Sequence, residues 1–66
     1  MNLMMNGAPA RFPDGATLAD ILAHLGLSAK GVAIERNREI VPKSAYGVTH
    51  LTDGDRIEIV QFVGGG

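Results

Sequence analysis

The chain has 66 residues, a formal charge of −1 from 6 basic and 7 acidic side chains, 45% hydrophobic content and no cysteine. This length supports one small domain that buries only about 60% of its unfolded surface, so an apolar core must supply the stability. The composition excludes a disulfide framework, a thiolate metal site, a cysteine nucleophile and the basic stripe that a nucleic-acid partner requires. No apolar run approaches a membrane span and no secretory signal opens the chain, so the expectation is a cytoplasmic protein with no membrane partner.

Residues 3–12 read as a hairpin. Leu3, Met4 and Met5 form a short apolar run, Asn6-Gly7 is a strong two-residue turn signal, and Ala8 begins the return. Pro9 suits an edge strand because it has no N–H to donate. Thr17 then opens a helix that runs to Leu25, with Asp20 placed to complete a capping box. Leu18, Ile21, Leu22 and Leu25 fall on one face, and Gly26 is placed to end the helix in the left-handed conformation. A helix this short is not stable alone and must pack on a sheet.

Residues 32–35 and 39–41 read as a second strand pair around Arg36-Asn37-Arg38, with Val32 and Ile34 on the buried face. Glu35, Arg36, Arg38 and Glu39 read as a solvated hairpin surface, with weak cross-strand pairs at most. Pro42 ends the second arm, and residues 43–47 form a turn or one turn of 3₁₀ helix. Val48 and Leu51 are expected to plug the core from a loop, and Thr52-Asp53-Gly54-Asp55 is a tight turn. The last strand spans residues 56–63. Ile57 and Ile59 alternate with Arg56 and Glu58, but Val60, Phe62 and Val63 then break the alternation. One helix with four or five short strands makes an α+β, two-layer domain. The expected core is Leu18, Ile21, Leu22, Leu25, Val32, Ile34, Ile57 and Ile59.

Internal groups offer little chemistry. His24 and His50 lie too far apart for a local ligand pair, and His24 falls on the polar face of the helix. Ser44 has no partner at a recognisable spacing. Asp53-Gly54-Asp55 lacks the other ligands of a calcium loop. No acid, base and nucleophile come together, so the chain is expected not to be an enzyme and to hold no metal.

The informative segment is Gly64-Gly65-Gly66. A glycine triplet can be a frayed terminus. It follows an apolar strand directly, however, and glycine makes the thinnest tail a polypeptide can have, able to enter a narrow active site of another protein. The expected organisation is one domain over residues 1–63 and a flexible tail over 64–66. Val60 and Phe62 admit two readings: an edge of the core covered by a loop, or a docking patch beside the tail.

Taken together, the hairpin, the helix, Val32-Ala33-Ile34-Glu35-Arg36-Asn37, Glu39-Ile40-Val41-Pro42, Asp53-Gly54-Asp55-Arg56-Ile57-Glu58-Ile59 and Phe62-Val63-Gly64-Gly65-Gly66 make the chain resemble the ThiS family of sulfur carriers of thiamin thiazole synthesis. The resemblance implies a ubiquitin-like β-grasp, a mixed sheet of four to five strands packed on one helix, with the last strand central and parallel to the first. It implies that a ThiF-type enzyme, using ATP and magnesium, adenylates the carboxylate of Gly66. A sulfur donor protein then converts the adenylate to a thiocarboxylate, and a ThiG-type thiazole synthase takes the sulfur. Val60, Phe62, Val63, Gly64 and Gly65 would form the partner-binding segment. The small subunit of molybdopterin synthase (MoaD-like) and a ubiquitin-like protein modifier share the fold and the terminal diglycine, and stand as alternatives. The molybdopterin subunit tends to carry prolines before its glycines, where this chain has Phe62-Val63.

Overall fold

A computed structural model describes residues 1–62. In chain order these form β1 (Asn2–Met5), β2 (Ala8–Arg11), α1 (Leu18–Leu25), β3 (Val32–Arg36), β4 (Glu39–Val41) and β5 (Arg56–Gln61), with 3₁₀ turns at Ala29–Gly31 and Lys43–Ala45. The five strands make one sheet in the order β2-β1-β5-β3-β4. β5 is central: it runs parallel to β1 and antiparallel to β3. β2 and β4 are the edges, so Pro9 lies where its missing N–H costs no ladder bond.

Local chemistry explains each element. Asn6 and Gly7 both have positive φ, 50° and 81°, the type I′ geometry that matches the twist of a hairpin. The Thr17 hydroxyl accepts from the Asp20 N–H at 3.2 Å, and the Asp20 carboxylate accepts from the Thr17 N–H at 2.9 Å, so the capping box is complete. Gly26 closes α1 at φ 72°, with the Leu27 N–H donating to the Leu22 carbonyl at 2.9 Å. This is a Schellman closure.

The core lies between α1 and one face of the sheet. It comprises Leu3, Leu18, Ile21, Leu22, Val32, Ile34, Tyr46, Leu51, Ile57 and Ile59. Seven of the eight expected core residues are there; Leu25 is not, being 45% exposed. The Schellman turn reverses the chain after Leu25 and brings Leu27 against the core in its place. Val48 is also outside, at 72% exposure. It sits in a tight turn whose N–H groups at Val48 and Thr49 both donate to the Ala45 carbonyl, and Tyr46 from the same turn enters the core instead. Leu51 fills the core as expected, held by its N–H to the Ala16 carbonyl at 3.2 Å.

In the β3–β4 hairpin Arg38 and Glu39 are exposed as expected, but Arg36 departs from the solvated surface. Arg36 faces Glu39 in the register, but its guanidinium turns to Asp55 at 2.8 Å. Asp55 is buried, and the ion pair locks the hairpin to the start of β5.

Candidate functional site

The site is the end of β5, fixed at its beginning and along both sides. At the beginning, Asn37 in its left-handed turn donates its N–H to the Arg56 carbonyl at 2.7 Å and accepts the Arg56 N–H on Oδ1 at 2.9 Å. Its Nδ2 donates to Asp55 Oδ1 at 3.0 Å. Burial alone would raise the Asp55 carboxyl. Donation from the Thr52 N–H, the Asn37 amide and the Arg36 guanidinium outweighs it and holds the group below its ordinary value of 3.8.

Along β5 the side chains sort by face. Ile57 and Ile59 point into the core, while Glu58 and Val60 point outward. On the outer face Val60 lies opposite Ala33, and Glu58 lies opposite Glu35. Arg56 reaches Glu58 along the same strand at 3.5 Å. Past the strand, the Phe62 N–H donates to the Gly31 carbonyl at 2.9 Å, so pairing with the β3 side persists through Phe62. Lys43 stands beside it. Its Nζ donates to the Val32 carbonyl and lies 5.9 Å from the ring centroids of both Phe62 and Tyr46, within cation–π range.

Of the residues expected at the site, Val60 and Phe62 are each 58% exposed, consecutive in the alternation and close to where the chain leaves the sheet. The reading of them as core edge covered by a loop is therefore not what the fold contains. Val63, Gly64, Gly65 and Gly66 lie outside the described residues, as does the expected tail over 64–66. Lys43 and Asn6 escaped the sequence reading. Apart from Tyr46 in its own turn, the partners of Lys43 come from β3 and from beyond β5, which no local pattern shows. Asn6 reads only as a turn residue, yet its side chain also bonds Ile59.

Other features are remote. One open depression of about 350 Å³ is lined by Arg36, Asn37 and the β4 edge, and another of about 330 Å³ by Phe12, Asp20 and His24. His24 meets the Phe12 ring edge-on at 5.5 Å, and the His50 Nδ1 donates to the Gly15 carbonyl at 3.0 Å. Among the described residues no cluster of three metal-ligating side chains occurs, and no helix is long and apolar enough to cross a membrane.

A mixed five-stranded sheet curled over one helix, with parallel first and last strands at its centre, is the ubiquitin-like β-grasp. Comparison with known proteins narrows this class. The model of the ThiS family matches residues 4–66. The chain is 46% identical over 65 residues to the sulfur carrier protein ThiS of Bacillus subtilis, covering 97% of this chain and 98% of that one. The crystal structure of a thiamine biosynthesis protein (ThiS) from Geobacter metallireducens superposes with a TM-score of 0.84 at 33% identity, each chain covered completely. The chain belongs to the ThiS family. It is also 47% identical over 66 residues to a thiazole synthase of Paramagnetospirillum magneticum, where it spans all of this chain but 20% of that protein's length.

Proposed function

We propose that the protein is a sulfur carrier of thiamin biosynthesis whose Gly66 α-carboxylate is the reactive group. Family membership supports the role, and one observation carries the chemistry: β5 leads to an exposed Phe62, four residues before the C-terminal glycine of the sequence Val63-Gly64-Gly65-Gly66. A carboxylate is a poor acyl donor because its leaving group is oxide. Attack of a Gly66 carboxylate oxygen on the α-phosphorus of ATP, with magnesium held by the partner enzyme, expels pyrophosphate and gives an acyl-adenylate. A persulfide sulfur on a donor protein then attacks the acyl carbon and expels AMP, and a thiol cleaves the resulting S–S bond, so that the donor leaves as a disulfide and Gly66 carries the thiocarboxylate. The chain has no cysteine, so sulfur cannot ride on a side-chain thiol.

The partners follow from these steps: a ThiF-type adenylating enzyme, a sulfur donor protein and a thiazole synthase that receives the sulfur. The match to a segment of a thiazole synthase supports the last of these. Val60 and Phe62 form the docking patch next to the reactive end, continued by Val63, Gly64 and Gly65, and the domain itself spans residues 1–63. The molybdopterin and modifier readings have no support from the relatives found.

Intact-mass measurement tests the proposal. The chain is incubated with a ThiF-type enzyme, ATP, magnesium and a sulfur donor. The mass should rise by the difference between one sulfur and one oxygen, and the change should map to the C-terminal peptide. No mass change, or a change mapped elsewhere, removes the carrier mechanism. Phe62→Ala should weaken the complex with the adenylating enzyme by more than about 1 kcal/mol, the loss typical of an aromatic anchor. Unaltered affinity in a titration places the docking patch elsewhere.

A further inference from the structure

The two neighbours of β5 release it at different points. On the β3 side the register continues to Val32 opposite Gln61, and the Phe62 N–H adds a bond to Gly31. On the β1 side the parallel register stops at Met5 opposite Ile57, because the main chain turns away at Asn6-Gly7. The Asn6 side chain takes over at that point. The Asn6 N–H donates to the Ile57 carbonyl at 2.9 Å. Its carboxamide then accepts the Ile59 N–H on Oδ1 at 2.7 Å and donates from Nδ2 to the Ile59 carbonyl at 3.2 Å. A carboxamide has the donor and acceptor of a peptide unit. It supplies one more rung of the sheet after the backbone has left.

The turn itself does not require this group. Glycine or aspartate satisfies the first position of a type I′ turn equally well. The amide answers a second demand, which is to grip Ile59 on both its polar atoms. Ile59 is the last core residue among the described residues, and residues 60–62 after it are exposed.

We propose that Asn6 is a positioning residue that clamps Ile59 from the β1 side, so that residues 60–62 hold the line of β5 when the carrier meets the activating enzyme. This rests on the carrier reading of Gly66. Without the clamp, the β1 side of β5 is held only to Ile57, and beyond that point the strand is supported by its β3 neighbour alone. Each residue spans about 3.3–3.6 Å of extended chain. A displacement of about 1 Å at a reacting atom can cost on the order of a hundredfold in rate.

Three variants separate positioning from stability. Asn6→Gly keeps the left-handed turn and removes both side-chain bonds. Asn6→Asp keeps an acceptor for the Ile59 N–H but sets a carboxylate oxygen against the Ile59 carbonyl. Thr17→Ala removes the helix cap far along the chain and serves as the stability control. With each, carrier-dependent ATP–pyrophosphate exchange by a ThiF-type enzyme is measured at a temperature where circular dichroism shows every variant folded, alongside hydrogen exchange at the Ile59 amide.

Asn6→Gly should expose the Ile59 amide to about tenfold faster exchange. It should lower kcat by about tenfold to a hundredfold and leave KM within about twofold, because the docking side chains are untouched. Asn6→Asp should fall between it and the wild type. Thr17→Ala should lower Tm and leave kcat unchanged. A kcat for Asn6→Gly equal to that of Thr17→Ala, or a loss confined to KM, overturns the positioning role alone. A wild-type chain that supports no exchange overturns the carrier reading, and this inference with it.

Discussion

Asp55 concentrates more polar contacts than any neighbour of β5: Arg36, the Asn37 amide and the Thr52 N–H all donate to it. Its carboxyl is held below 3.8, so the network contributes its full stabilisation above that pH and loses it as the pH falls through the lowered folded value. Asp55→Asn should cost about 1–3 kcal/mol at neutral pH, the range for leaving buried polar partners unmatched. The gap between variant and wild type should close on acidification below pH 3.8, read from urea titrations at a series of pH values. A gap independent of pH would show that the charge of Asp55 is immaterial. Arg38 offers the opposite case. It holds φ 71° in the second position of the β3–β4 turn, where glycine is favoured. Arg38→Gly should therefore stabilise the domain by about 0.5–1 kcal/mol, after the larger chain entropy of glycine offsets part of the strain relieved.

Among the elements, β5 joins the two hairpins into one sheet, paired with β1 on one side and β3 on the other, and contributes Ile57 and Ile59 to the core. Ile59→Ala should cost about 2–5 kcal/mol. For a domain of this size that lowers Tm by more than about 8 °C; an unchanged melting curve would contradict the burial of Ile59. The outer face of the same strand carries a conflict, since Glu58 and Glu35 stand directly opposite each other. Glu35→Lys should convert this into an attractive pair and gain about 0.2–1 kcal/mol, measurable by denaturant titration. Much of this architecture was legible in the chain. The capping box of α1, the Asn6-Gly7 turn and the alternation of β5 are local patterns, and each folds as its pattern dictates. Leu25, Val48 and Arg36 depart from their local patterns for a shared reason. Their fates depend on Leu27, Tyr46 and Asp55, competitors or partners whose proximity only the tertiary fold creates. The exposure of Val60 and Phe62 follows from the broken alternation, whereas the clamps by Asn6 and Lys43 arise from strand order, which periodicity does not encode.

For the whole molecule, the proposed chemistry and the described core belong to separate stretches of the chain. Among the described residues the last core side chain is Ile59, and the proposed reactive atom belongs to Gly66, seven positions further on. Removing Gly66 should accordingly leave Tm and the denaturant midpoint unchanged. It should nevertheless draw the terminal carboxylate back by about 3.3–3.6 Å, one extended residue. That exceeds the misplacement of about 1 Å that already costs on the order of a hundredfold, so ATP–pyrophosphate exchange should fall by at least that factor. Adding a residue beyond Gly66 should have the same effect for a different reason, because the carboxylate proposed to attack ATP becomes part of a peptide bond. Ile59→Ala provides the contrast: there stability and activation should decline together as the unfolded fraction grows. A truncated chain that is activated at the wild-type rate would place the reactive group somewhere other than the last glycine, and would return the triplet to the status of a plain terminus.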